Sequence, residues 1–142
     1  MRSEALHKFV DYWQTLSPRA VASIADVYTA DACFRDPFNE VTGIESIRHI
    51  FAEMFVRLDE PRFTIIETLE QDHGAILIWD FNFRIRTLQP ALNRRIHGTS
   101  HVRFAADGRV HYHRDYWGAA GELYETLPVV GSLMRWLKKR AG

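Results

Sequence analysis

The sequence predicts an α+β domain in which three helices come first and a curved antiparallel sheet follows. Apolar residues recur at helical spacing as far as Pro61, and they alternate with period 2 in most of the chain after it. Turn sequences at residues 71–74 and 106–108 divide this second part into strands joined as hairpins. A sheet that curls around the third helix would form a cone with an open mouth, which is a natural ligand cavity.

Size, charge and cysteine content narrow the class of protein. The 142 residues fit one domain, which we place at residues 1–120, with a C-terminal helical extension at 121–142. Lys plus Arg and Asp plus Glu both number 18, so charge gives no reason to expect nucleic acid as a partner. The single cysteine, Cys33, excludes an intramolecular disulfide, and no apolar run is long enough to span a membrane. We therefore expect a cytoplasmic protein with no membrane partner.

The helices are predicted from apolar stripes and from their start and stop signals. The first covers residues 3–16, and the second runs from residue 18 through Tyr28, followed by a turn at residues 29–32. The segment Thr42-Gly-Ile-Glu45 resembles a capping box that opens the third helix, and Pro61 ends that helix.

Four strands follow, over Phe63–Glu70, Ala75–Arg86, Arg94–Ala105 and Arg109–Trp117. Alternation in the last strand places three side chains on the pocket face: His113, Asp115 and Trp117. The opposite face presents Tyr112, Arg114 and Tyr116, and with His101 and Arg103 it forms a surface that suits a homodimer.

Asp36 is expected at the end of a short extended segment, because Pro37 removes a ladder donor and biases the preceding residue away from helix. One alternative is that Asp36 is only a turn residue that binds its own backbone. Similarly, His113 and Asp115 form either a functional pair or a satisfied polar pair in the core.

Several segments together carry a resemblance to a known family: Tyr12, Phe34-Arg-Asp-Pro37, Thr42–Arg48 and the hairpin Ser100–Val110. In this order and spacing they resemble the nuclear transport factor 2-like superfamily over residues 5–118, and within it ketosteroid isomerase and SnoaL-like proteins. The resemblance implies a cone-shaped, cystatin-like fold with a curved mixed or antiparallel sheet around three helices.

The resemblance also implies roles for single residues. Asp36 matches the base of ketosteroid isomerase and Tyr12 its oxyanion tyrosine, whereas Ser100 stands where that enzyme has a protonated aspartate. In SnoaL-like cyclases the base is an aspartate on the last strand with a histidine nearby, and Asp115 and His113 resemble that arrangement. Tyr12 is alternatively an ordinary packing residue at the border of its helix.

The resulting prediction is a cofactor-free enzyme that abstracts a proton next to a carbonyl group of an apolar ligand. Its catalytic candidates are Asp36, Asp115, Tyr12 and His113. Its candidate ligand-binding residues are Tyr28, Phe38, Phe51, Met54, Phe55, Trp79, Phe81, Ser100 and Trp117.

Two alternatives are a non-catalytic binding domain and an interaction protein that uses the outer sheet face. Epoxide hydrolysis ranks lower because it needs an Asp–Arg–Asp relay, and Arg84, Arg86 and Arg114 face away from the pocket by parity. No metal site is predicted, because the histidines of the last two strands do not converge. For the basic C-terminal segment we favour a lid or brace over a membrane contact.

Overall fold

The computed structural model describes residues 3–118, which contain three α-helices and one six-stranded sheet. The helices are α1 (Glu4–Gln14), α2 (Pro18–Ala22) and α3 (Ile44–Arg57), with a 3-10 turn at Ile24–Asp26. The strands are β1 (Tyr28–Arg35), β2 (Glu40–Thr42), β3 (Leu58–Gln71), β4 (Gly74–Ile85), β5 (Arg94–Phe104) and β6 (Val110–Tyr116). The predicted C-terminal extension lies outside the described residues.

The sheet is mixed, curved and unclosed, with the strand order β2-β1-β6-β5-β4-β3. Strand β1 runs parallel to β6, and all other neighbours are antiparallel. The antiparallel meander from β3 to β6 is the part that the alternation of the sequence predicts. Strands β1 and β2 precede α3 in the chain, and β1 occupies an inner position beside the last strand. A parallel neighbour of this kind leaves no hairpin signal in the sequence.

The first strand replaces the end of the predicted second helix and the turn predicted after it. Helix α2 ends at Ala22, and Tyr28, which has no exposed surface, begins β1 opposite Val110. The prediction was wrong here because pairing with a strand more than 80 residues away outweighs a local helical period.

The third helix also begins and ends differently from the prediction. Its N-cap is Gly43, at φ 103°, and no side chain caps it, so the expected capping box is absent. The helix ends at Arg57, and Pro61 lies inside β3, where the pairing register shifts between Asp59 and Arg62. Strand β3 is an edge strand, and a bulge on an edge is where a residue without an N–H donor is tolerated.

The core lies between the helices and the concave face of the sheet. Side chains of α1, α3, β4 and β5 are buried on the faces that the sequence predicts, among them Phe9, Trp13, Phe51, Leu77 and Trp79.

In the last strand, β6, buried and exposed side chains do not alternate regularly. A register shift near its start buries Val110 and exposes His111, which strict parity would place beside His113.

Gly98 allows an indole ring to lie on the sheet. It pairs with Trp79 in the neighbouring strand, and a Cβ atom at this position would lie 2.5 Å from the ring carbon Cη2 of Trp79. The same indole donates a hydrogen bond of 2.8 Å from Nε1 to Ser100 Oγ. Glycine therefore makes room for a ring that anchors a buried polar group.

We expect Gly98→Ala to displace the Trp79 ring and to lower the free energy of unfolding by about 1–3 kcal/mol, the usual cost of overpacking. Urea denaturation measures this change. The control is Gly118→Ala, because a Cβ atom at Gly118 would meet no atom of the described residues within 4 Å. Equal stability of the two variants would contradict this account of Gly98.

Candidate functional site

A cavity of about 150 Å³ opens between helices α1 and α3 and the concave face of the sheet. Its lining is mostly apolar, and eight of its sixteen residues are aromatic. The lining residues are Trp13, Phe34, Asp36, Asn39, Ile50, Phe51, Glu53, Met54, Leu58, Phe63, Trp79, Phe81, Phe83, Ile96, Asp115 and Trp117. A smaller recess of about 10 Å³ shares part of this wall and is also lined by Ser100 and His113.

Asp115 is held in this cavity through one of its two carboxylate oxygens. Ser100 donates from Oγ to Oδ1 of Asp115 at 2.5 Å, and Nε2 of His113 lies 2.6 Å from the same oxygen. Ser100 is fixed in turn by the indole N–H of Trp79. Pairing between β5 and β6 places Ser100 directly opposite Asp115, so the sheet register itself builds this contact.

A second chain of hydrogen bonds fixes His113 from behind. Its Nδ1 lies 2.7 Å from the hydroxyl of Tyr28, and that hydroxyl accepts an N–H from Trp13 at 3.2 Å. Both His113 and Tyr28 are buried. Burial raises the pKa of Tyr28 well above its usual 10, with the Asp115 charge raising it further, so the phenol keeps its proton.

The partners determine the direction of these hydrogen bonds. Because the Tyr28 oxygen already accepts from Trp13, its own proton is available to Nδ1 of His113. His113 then carries its ring proton on Nε2 and donates it to Asp115. The donors therefore converge on Oδ1 of Asp115, while no described residue donates to its Oδ2.

Asp36 also lines the cavity, at the turn between β1 and β2. Its Oδ1 accepts the backbone N–H groups of Phe38 at 2.8 Å and Asn39 at 2.6 Å, and both carboxylate oxygens accept from the Asn39 side chain at 3.1 Å. The turn geometry considered as an alternative is thus present, and it places the carboxylate in the cavity wall. Burial raises the pKa of Asp36, the hydrogen bonds oppose this, and the charge of Asp115 raises it further.

Tyr12, the expected oxyanion tyrosine, does not reach the cavity. Its hydroxyl donates to the backbone carbonyl of Ala20 at 2.9 Å, which ties α1 to α2. Burial raises the pKa of Tyr12 to about 12. The neighbouring residue Trp13 lies on the inward face of α1 and lines the cavity instead. One position along a helix turns a side chain by about 100°, which explains the difference.

The expected ligand-binding residues fall into two groups. Five of them line the cavity: Phe51, Met54, Trp79, Phe81 and Trp117. Of the others, Tyr28 lies behind His113, Ser100 faces the smaller recess, and Phe38 contacts the ring of Trp117. Phe55 packs against the core and is outside the cavity lining.

Sequence reasoning missed several lining residues that carried a usable signal. Phe34 precedes Asp36 by two positions, so an extended strand places both on one face. Ile50 and Glu53 lie four residues and one residue before the predicted Met54, and residues 50, 53 and 54 share the face of α3 next to the cavity.

Basic and metal-binding groups are missing from the described part of this site. No Lys, Arg or His belongs to the described lining of the larger cavity. Arg84 forms an ion pair with Asp59 at 3.1 Å, and the guanidinium of Arg114 lies 4.5 Å from the ring of Tyr116. Residues 3–118 contain no group of three His, Cys, Asp or Glu side chains arranged to hold a metal ion.

Solved structures resemble this chain in fold. A protein of ketosteroid isomerase-like fold from Catenulispora acidiphila, in complex with trimethylamine, aligns with TM-score 0.74 and 16% identity over 90% of this chain and 96% of that one. A protein of unknown function from Burkholderia pseudomallei, of the nuclear transport factor 2-like type, aligns with TM-score 0.75 and 12% identity over 90% and 100%. An LEH-like epoxide hydrolase from M. tuberculosis aligns with TM-score 0.68 and 14% identity over 92% of each chain.

At these identities the structures establish the fold alone, which is the cone-shaped fold that the sequence predicts. No curated protein matches the chain. The model of the SnoaL-like domain matches residues 8–113, which is more than half of the sequence and includes His113 of the site. The chain therefore belongs to the SnoaL-like domain family.

Proposed function

We propose that this protein is a small enzyme that removes a proton from the carbon next to a carbonyl group, with Asp115 as the base. The observation that supports this most is the asymmetry of the Asp115 carboxylate. Ser100 and His113 hold Oδ1, and Oδ2 accepts from no described residue, while the side chain lines the cavity. A base needs an oxygen that is both fixed in position and available to the reacting proton.

The environment supports the same role. Apolar and aromatic side chains surround the carboxylate, and a wall of this kind favours proton transfer from a weak carbon acid. His113 holds the carboxylate through a fixed tautomer, and Tyr28 and Trp13 hold His113. In this proposal Ser100, His113 and Tyr28 are positioning residues, and Asp36 supplies a second acidic group to the cavity wall.

The cavity volume limits the ligand. The cavity measures about 150 Å³, the same volume as an engineered apolar cavity that binds benzene. A ligand with one ring is therefore a suitable size for the enclosed part. The complex of the Catenulispora acidiphila protein with trimethylamine supports small organic ligands for this fold. A fused tetracyclic compound would need to extend through the mouth.

The same cavity without catalysis, as a binding domain, is the second candidate, because Asp115 and His113 also satisfy each other as a buried polar pair. Epoxide hydrolysis has less support, since no described lining residue is an arginine that could complete an Asp–Arg–Asp relay.

Within residues 3–118, no helix is long and apolar enough to cross a membrane. Together with the single cysteine, this supports our proposal of a cytoplasmic protein.

We also propose a homodimer formed through the outer face of β5 and β6. Rings and cationic groups are concentrated there: His101 contacts Tyr112, and Arg114 lies over Tyr116. Tyr116 is 46% exposed, which is high for a large aromatic side chain. Aromatic residues and arginine are enriched in protein interfaces.

Asp115→Asn is expected to lower catalysis of hydrogen exchange at the α-carbons of cyclohexanone in D₂O by at least about 100-fold, because the amide cannot act as the base. Proton NMR follows the exchange. The matched control is Asp80→Asn, since Asp80 lies on the outer face of β4 and pairs with His97. Equal exchange rates for wild type and Asp115→Asn would refute the assignment of Asp115.

Tyr28→Phe is expected to release the tautomer of His113, because Nδ1 loses the O–H that donates to it. The ¹⁵N chemical shifts of the His113 ring should move toward a mixture of tautomers, and exchange should slow about tenfold. Tyr12→Phe is the control, as its hydroxyl binds the Ala20 carbonyl instead. Unchanged ring shifts in Tyr28→Phe would contradict the proposed direction of the hydrogen bonds.

The dimer is tested by sedimentation equilibrium. Wild type should sediment as a dimer, and Tyr116→Asp as a monomer, because an unpaired charge at the centre of an interface is costly. Val56→Asp serves as control, since Val56 is 62% exposed on α3 and away from the outer sheet face. A monomeric wild type, or a dimer that Tyr116→Asp leaves intact, would contradict this proposal.

A further inference from the structure

We infer that the ligand of this cavity carries a small positively charged group, such as a tertiary or quaternary ammonium. The inference rests on the proposed function for its site and names the class of ligand which that site takes. It follows from three properties of the cavity: its carboxylates, its aromatic walls and the engagement of its hydrogen-bond donors.

The charged side chains in the described lining are all acidic. Asp36, Glu53 and Asp115 line the cavity, and no described lining residue is basic. Glu53 has Arg57 nearby, at 3.8 Å between Oε2 and Nε. Asp36 and Asp115 have no arginine or lysine partner among the described ion pairs, and each charge acts on the same enclosed space. A cationic ligand would reduce the repulsion between these two groups.

The walls around these carboxylates are built from aromatic rings. Indoles and phenyl rings make up half of the lining, and the three indoles are Trp13, Trp79 and Trp117. Aromatic rings attract organic cations through their quadrupoles, and tryptophan does so best. An alkylammonium group also has an apolar surface, so it fits a wall that cannot solvate a bare ion.

The side-chain donors of the site are mostly engaged with other residues. Trp13 donates to Tyr28, Tyr28 to His113, and Trp79 to Ser100. Ser100 and His113 both donate to Asp115, and the amide of Asn39 donates to Asp36. No described residue accepts the indole N–H of Trp117, so within residues 3–118 this group is a side-chain donor that could meet a ligand.

The engagement of these donors matters for the proposed reaction. When a proton is removed next to a carbonyl group, negative charge develops on the carbonyl oxygen, which then needs stabilisation. Tyr12, the residue expected to receive that charge, is turned away toward Ala20. A positive group on the ligand itself would offset the developing charge and make the carbon more acidic. The cavity therefore suits a carbonyl compound that carries its own cation.

The test compares choline with 3,3-dimethylbutan-1-ol, a neutral molecule of nearly the same shape in which carbon replaces nitrogen. Isothermal titration calorimetry at pH 7.5 on the full chain measures both affinities. We expect choline to bind at least about tenfold more tightly, which corresponds to a strong cation–π and charge contribution. Fluorescence quenching of the cavity tryptophans gives a second readout.

Variants separate the contribution of the Asp115 charge from that of the Trp117 ring to the preference for choline over the neutral alcohol. Asp115→Asn should reduce the choline preference several-fold, whereas Asp80→Asn on the outer face should retain it. Trp117→Leu should reduce it, and Trp117→Phe should keep most of it, because an aromatic ring remains. Circular dichroism confirms that each variant is folded before its affinity is compared.

Equal or tighter binding of the neutral alcohol would overturn the inference, and so would absence of binding of both molecules at 20 mM. A preference for choline that survives in both Asp115→Asn and Trp117→Leu would also overturn it. Each of these three results would reject the cationic ligand without rejecting the proposed reaction. The reaction is tested separately, by Asp115-dependent hydrogen exchange of cyclohexanone. Loss of that exchange with choline preference intact would reject the reaction and keep the ligand class.

Discussion

The two hydrogen bonds that Ser100 and His113 make to one oxygen of Asp115 are the interaction on which the site depends. A carboxylate in an apolar cavity is costly unless donors stabilise it, and here the donors come from neighbouring strands in fixed register. They converge on Oδ1, which compensates burial of that oxygen, and no donor within residues 3–118 binds Oδ2. The same arrangement explains the buried position of Tyr28, whose hydroxyl completes the chain behind His113.

The fold supplies the rigidity that this arrangement requires. Gly98 makes room for the Trp79 indole, which anchors Ser100, and Trp13 on α1 anchors Tyr28. Helix α1 and strands β1, β4 and β5 thus each contribute one member of a single polar network, and β6 contributes two, His113 and Asp115. Hydrogen-bond networks of this kind specify one arrangement of a core, since loss of a partner inside the network would be costly.

The sequence predicts the antiparallel part of the sheet and most side chains of the site, but not the first strand or the direction of Tyr12. Alternation alone places Asp115 and Trp117 toward the cavity and assigns Ser100 to the same face of the sheet. It misses the start of β1, because the partner of Tyr28 is Val110, far along the chain. The direction of Tyr12 could not be predicted either, since two adjacent aromatic residues on a helix border both fit a cavity, and packing against α2 decides between them.

The site depends on the donors of residues 3–118 converging on Oδ1 of Asp115, with none of them bound to Oδ2. Neutron diffraction from crystals grown in D₂O at neutral pH tests it most directly, because it locates the deuterium atoms. We expect deuterium on Nε2 of His113, on Ser100 Oγ pointing to Asp115, and on the Tyr28 hydroxyl pointing to Nδ1 of His113. Deuterium on Asp115 itself, or on Nδ1 of His113, would contradict it.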